Sequence, residues 1–147
     1  MKILVIGDSH GNIANLKHVM GFAKKIKVEA IIHTGDWNSL ECVNTVLSYK
    51  IPLYSVLGNA DISPEINKKF KSLLKFTLDG RDIYLVHRFL KSDTNHIGKD
   101  IVFTGHYHSQ KIWETNGVKI VRPGALEKEI YFAVYDTKTN GVELIHE

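Results

Sequence analysis

Five short apolar runs in this chain stop abruptly at small polar residues, and that repeated ending constrains the fold more than any other feature. Residues 3–6 give way to Gly7-Asp8-Ser9-His10-Gly11-Asn12, and residues 30–33 to Thr34-Gly35-Asp36. Residues 53–57 run into Gly58-Asn59-Ala60-Asp61, residues 83–86 into His87-Arg88, and residues 101–104 into Gly105-His106-Tyr107-His108. Continuous apolar runs of this length suit strands buried on both faces. Helix signals separate the first three. Ile13, Leu16, Val19, Met20, Ala23 and Ile26 recur at helical spacing, with lysines on the opposite face. Residues 40–49 form a second amphipathic stretch. Ser63-Pro64-Glu65 supplies an N-cap, a proline at the first helical position and an early acid. Strand–helix alternation predicts right-handed βαβ units around a parallel sheet. The second half changes character. Asp79-Gly80, Asn116-Gly117 and Asn140-Gly141 each separate apolar runs and read as hairpin turns. Residues 92–99 read as a short helix. The expectation is one α/β domain over residues 1–147, with two sheets stacked face to face and helices outside.

The carboxyl ends of parallel strands form the edge where α/β proteins build sites. Glycine there lets the backbone turn sharply and bring small polar side chains together. Asp, His and the Asn side-chain oxygen are N/O ligands for divalent first-row metals. Asp8-Ser9-His10 and His106-Tyr107-His108 each put two candidate ligands on one short turn. Turn chemistry alone, which favours Asp and Asn after strands, accounts for one or two such tips. It accounts poorly for ligand-type residues at all five.

The ordered set Gly7-Asp8-Ser9-His10, Gly35-Asp36, Gly58-Asn59-Ala60-Asp61, His87 and Gly105-His106-Tyr107-His108 resembles the calcineurin-like metallophosphoesterase superfamily. Pro123-Gly124 resembles a late family element. The short length resembles the small phosphodiesterase branch, which also contains the retromer scaffold subunit. The resemblance implies a four-layer α/β/β/α sandwich of two mixed sheets, in agreement with the two-sheet reading. It also implies a dinuclear centre: Asp8, His10 and His108 on one metal, Asn59, His87 and His106 on the other, and Asp36 bridging both. Two divalent ions are implied, with Mn first and Ni, Fe, Zn or Mg as alternatives. Hydrolysis would then proceed by attack of a metal-bridging hydroxide, with the same ions stabilising charge on the phosphate. Asn59, His106 and Asp61 are the implied catalytic residues, Asp61 by orienting a histidine ligand or the water. Arg88 and Asn59 are the implied substrate contacts.

Three departures from the family pattern bear on function. Ala60 stands where many relatives carry a histidine that protonates the leaving group, which favours a diester over a monoester substrate. Arg88 replaces the usual glycine after the histidine ligand; it either alters how His87 is presented or clamps a phosphate. Arg122, before Pro123, is either a second phosphate contact or an exposed turn residue. Among the remaining residues, His18 and His146 read as solvated, and His33 as a satisfied core histidine. His96 lies in an uncertain loop near the site. Trp37 walls the cleft or packs at the sheet edge, and Cys42 reads as core.

The expected function is a phosphoesterase, with phosphodiesterase activity favoured. The alternative is a non-catalytic, metal-binding interaction scaffold on the same fold. A lone cysteine excludes an internal disulfide and a thiolate zinc site, so a reducing, cytoplasmic setting is expected. The N-terminal apolar run is too short for a signal peptide, and no run approaches bilayer length. A net charge of +3 is too small to imply nucleic-acid binding. The expected partner is a small phosphate ester, not a membrane; homo-oligomerisation is left open.

Overall fold

The computed structural model describes all of residues 1–147. In chain order the elements are β1 (Lys2–Ile6), α1 (Ile13–Lys25), β2 (Ala30–His33), α2 (Leu40–Leu47), β3 (Leu53–Ser55), α3 (Pro64–Lys69), β4 (Leu73–Leu78), β5 (Arg81–Val86), β6 (Ile101–Phe103), β7 (Gln110–Thr115), β8 (Val118–Pro123), β9 (Tyr131–Asp136) and β10 (Gly141–His146). They form two five-stranded sheets, ordered β10-β9-β1-β2-β3 and β4-β5-β6-β8-β7. Both are mixed. β1, β2 and β3 run parallel in the first, where β9 pairs antiparallel with β1 and β10 with β9; β5, β6 and β8 run parallel in the second, flanked by antiparallel β4 and β7.

Alternation along the central strands explains why they are apolar at every position. Leu4, Ile6, Ile31 and Phe132 face the helices and pack against Leu16, Val19, Met20, Val43, Val46 and Ile66. Ile3, Val5, Ala30 and Ile32 point the other way, onto Ile83, Leu85, Ile101, Phe103 and Val121 of the second sheet. Asn12 caps α1 by accepting the Asn15 N–H at 3.0 Å, and Ser39 caps α2 through the Cys42 N–H.

The outer face of the second sheet is covered without a helix. Residues 92–99, expected to be helical, form turns over Tyr84, Val102 and Ile120, with Phe89 packed against them. Asp93 explains the difference. Its carboxylate accepts from the Asn95 N–H and side chain and from the Tyr84 hydroxyl, and such local bonds compete with helix formation. Asp79-Gly80 and Asn116-Gly117 have positive φ at both positions, as two-residue hairpins require. At Asn140-Gly141 only Asn140 does (φ 56°). Gly141 already pairs with Asp136, so this turn is the longer loop 137–140.

Candidate metal centre

All five strand tips meet at one edge of the sandwich. Asp8 and His10 follow β1, Asp36 follows β2, Asn59 and Asp61 follow β3, His87 follows β5, and His106 and His108 follow β6. Asp8, His10, Asp36, His106 and His108 all have positive φ, between 41° and 77°. For non-glycine residues this backbone costs about 1–3 kcal/mol each and persists only where surroundings impose it. Here β1 and β2 are laced beyond their ends: Asp8 N–H donates to Gly35 O and His10 N–H to Asp36 O, each at 3.0 Å.

The glycines at these tips are required by close approach. A Cβ on Gly58 would lie 2.1 Å from Asp36 Oδ1, and one on Gly105 would lie 2.7 Å from Asp8 Oδ2. Gly58→Ala is therefore expected to displace the Asp36 carboxylate. Its far-UV circular dichroism should match wild type, while the thermal shift on adding Mn²⁺ shrinks by at least half.

The side chains converge in two sets. In the first, His10 Nε2 and His108 Nε2 lie 3.2 Å apart, and His108 Nε2 is 3.5 Å from Asp8 Oδ1. In the second, His87 Nε2 is 3.0 Å from Asn59 Oδ1, which also lies 3.2 Å from His106 Nδ1. Asp36 Oδ2 stands between the sets, 3.4 Å from His10 Nε2 and 3.2 Å from His87 Nε2. Its other oxygen accepts the Ala60 N–H at 2.8 Å.

Proton positions show why these contacts suit cations. His87 Nδ1 faces the Thr34 carbonyl at 2.8 Å, and a carbonyl only accepts, so Nδ1 carries the proton. In the neutral ring, Nε2 then turns a lone pair toward Asp36 Oδ2 and Asn59 Oδ1, two acceptors. Glu127 Oε2 lies 3.3 Å from His108 Nδ1, a carboxylate beside that ring nitrogen. Asp8 Oδ1 is fully buried with no hydrogen-bond partner. Acceptors facing acceptors in a buried site are what a divalent ion satisfies, so the residues present fit a metal. Asp8, His10 and His108 lie close enough to share one ion, as do Asp8, Asp36 and His87.

Electrostatics follow from the same crowding. Burial pushes the Asp8 carboxyl up to about 6, opposed by His87 and His108 and reinforced by Asp36. Burial disfavours charge on His87 too, but the Asp36 hydrogen bond and the charges of Asp8 and Asp36 outweigh it and raise its pKa. Burial holds His106 below its ordinary value, assisted by His87 and Arg88.

Asp61 does not orient a histidine. Its carboxylate is filled by backbone: Oδ1 accepts from Trp37 and Asn38 N–H, and Oδ2 from Asp36 and Gly58 N–H, at 2.8 to 3.0 Å. It pins the β2 and β3 tips together. Trp37 is fully buried, stacked 3.5 Å from His33 with its indole N–H on Ser55, so it packs at the sheet edge and does not wall the cleft. His33 is a satisfied core residue, accepting the Gly35 N–H and bonded to Ser9 Oγ. His96 is buried against Phe89 and bonded to Asn116, and makes no contact with the candidate ligands. Arg122 lies on β8, not in a turn, with its guanidinium on Ser109. Two supporting groups carry no sequence signal. The Thr34 carbonyl is backbone, and Glu127 shares no motif spacing with His108.

Two mixed sheets meeting at an edge lined by Asp, Asn and His define a metallophosphoesterase-type α/β protein, and residues 1–140 match the model of the calcineurin-like phosphoesterase superfamily domain. The chain belongs to that superfamily. It is 23% identical over 138 residues to phosphodiesterase MJ0936 of Methanocaldococcus jannaschii, covering 84% of this chain and 83% of that protein. Its fold is similar to that of an archaeal phosphodiesterase, with TM-score 0.86 and 21% identity over the whole of both chains. Vacuolar protein sorting 29 from Cryptosporidium parvum shares the fold at TM-score 0.69 and 20% identity, covering 99% of this chain and 96% of that one. No helix is long and apolar enough to cross a membrane.

Proposed function

We propose that the protein is a phosphodiesterase with two divalent metal ions, Mn²⁺ foremost, acting on a small phosphate ester. The observation that carries this reading is the pair of converging lone-pair sets that share Asp36 Oδ2. Asp8, His10, His108 and Asp36 would hold one ion; Asp36, Asn59, His87 and His106 would hold the other. When bound, such ions supply an acidified water and Lewis-acid contacts to the phosphate oxygens.

The chain's own residues do the rest. Asn59 is exposed at the mouth, where its amide N–H can reach a phosphate oxygen. Arg88 is exposed beside it, with Nε 3.3 Å from the Tyr107 hydroxyl and its outer nitrogens free to clamp phosphate. His106 is biased toward the neutral form that both ligation and substrate contact need. Asp61 acts by position, through the backbone of Asp36 and Gly58. Ala60 cannot protonate a leaving group, so substrates whose departing group is already a stable anion are favoured.

Reconstitution tests the reading. The protein is stripped of metal, given Mn²⁺, Ni²⁺, Fe²⁺, Zn²⁺ or Mg²⁺ singly, and assayed on an aryl phosphodiester and the matching monoester. Metal-restored hydrolysis, at least tenfold faster on the diester, is expected. Loss of the reading follows if no ion restores turnover. Metal uptake without turnover on either ester would identify a scaffold instead.

A further inference from the structure

Beside the candidate ligand cluster lies a groove of about 190 Å³ whose lining includes Lys91, Gly105, Tyr107, Lys111, Trp113 and Arg122. Gly105 and Tyr107 flank His106, and the Tyr107 ring lies 4.8 Å from the His106 ring, so the groove adjoins the proposed site. No carboxylate lines it, and none of its three cations forms an ion pair anywhere in the protein. Lys111 and Arg122 are directly opposed across the β7–β8 ladder. Like charges in that position repel, so the arrangement costs stability unless an anion sits between them. Aromatic rings hold the cations in place. The Arg122 guanidinium lies 5.2 Å from the Tyr107 ring and 5.5 Å from the Trp113 ring, and Lys111 Nζ lies 5.0 Å from Trp113. With those faces occupied, the rings are poor platforms for stacking a base. The volume is below the roughly 300–1,000 Å³ of a complete small-molecule site, so the groove takes part of a ligand.

We propose that this groove binds a second phosphate, on the arm of the substrate that departs, and that the substrate is a small phosphodiester joined through a P–O–P anhydride link. The inference rests on the phosphoesterase reading and refines it. It also resolves the missing acid at Ala60. Water oxygen bonds to the scissile phosphorus, the bond from that phosphorus to the bridging oxygen breaks, and the electron pair leaves on the second phosphate. That phosphate is a stable anion and needs no proton from the protein; the proton lost by water goes to solvent. Lys91, Lys111 and Arg122 receive the new charge.

Two matched substrates test the assignment in the Mn²⁺-loaded protein: di(thymidine-5′) diphosphate, with the anhydride, and thymidine 5′-(4-nitrophenyl phosphate), with one phosphate. The ratio of their kcat/KM values is expected to favour the anhydride about tenfold or more, and to fall about tenfold in Lys111→Ala/Arg122→Ala. Lys111→Glu, at an exposed position, provides the same test if the double variant misfolds. Independently, metal-free wild type should bind inorganic pyrophosphate at low salt, and both variants should lose that binding. If wild type hydrolyses neither substrate, the phosphoesterase reading fails and pyrophosphate binding alone decides the subsite. An unchanged ratio together with unchanged pyrophosphate binding in the folded variants overturns the subsite. Preference for the single-phosphate diester overturns the anhydride substrate.

Discussion

Asp36→Asn is expected to remove turnover, lowering kcat/KM by at least about a thousandfold, while the protein stays folded. The substitution is nearly isosteric. An asparagine oxygen can still accept the Ala60 N–H, which fixes the side chain in place. Its NH₂ then replaces the oxygen that lies 3.4 Å from His10 and 3.2 Å from His87. Where His87 is neutral, above its raised pKa, that group donates to the His87 Nε2 lone pair, so this contact is satisfied without a cation. At such a pH the metal-free variant should therefore melt at or above the temperature of metal-free wild type. Its metal-induced thermal shift should be lost, and elemental analysis should find less than one ion per chain. Retention of two ions with more than a tenth of wild-type activity would remove Asp36 from the shared position.

Asp61→Asn should instead damage the fold of the site. The carboxylate is 4% exposed and accepts four backbone N–H groups, two on each oxygen. Whichever oxygen becomes NH₂ faces two donors, leaving both unpaired and repelled. Charge-assisted bonds are worth about 1.5–3 kcal/mol each, so a loss of roughly 3–5 kcal/mol is expected. For a chain of this size that corresponds to roughly 8–15 °C in Tm. Urea unfolding in the metal-free state measures the effect without contribution from ligand binding. A change under 1 kcal/mol would mean that neighbouring strands alone hold the β2 and β3 tips. Asp36 and Asp61 thus separate by readout: the first governs ions at constant fold, the second governs the fold that presents Asp36.

Much of this division was legible in the residues. The five apolar runs are β1, β2, β3, β5 and β6, the two Asx-Gly turns at residues 79–80 and 116–117 are tight hairpins, and Ser63-Pro64-Glu65 opens α3. These features are local, set by side-chain period and by the backbone freedom of Gly, Asn and Asp. The errors fall where partners distant in sequence compete with local preference. Residues 92–99 lose their helix to Asp93, which the Tyr84 hydroxyl engages from β5. Asn140 makes a longer loop because its side chain bonds to Asp100 and Tyr135. Local sequence leaves Trp37 and Arg122 each two places, and tertiary contacts select one: Trp37 turns inward onto His33, and Arg122 lies along β8 between Tyr107 and Trp113.

By itself, the order of residues determined that Asp, Asn and His would stand just past the ends of five strands, because strand period and chain direction fix where each run ends. It determined the available chemistry as well: N/O ligands, no thiolate and no acid at Ala60. Only the tertiary structure decided how these groups face one another. The Thr34 carbonyl sets the ring proton of His87, Glu127 stands beside His108, the Asp61 carboxylate is consumed by backbone, and the Tyr107 ring is brought against Arg122. Those are contacts between different strand tips and loops, and their geometry is set when strands pair within each sheet and the two sheets pack.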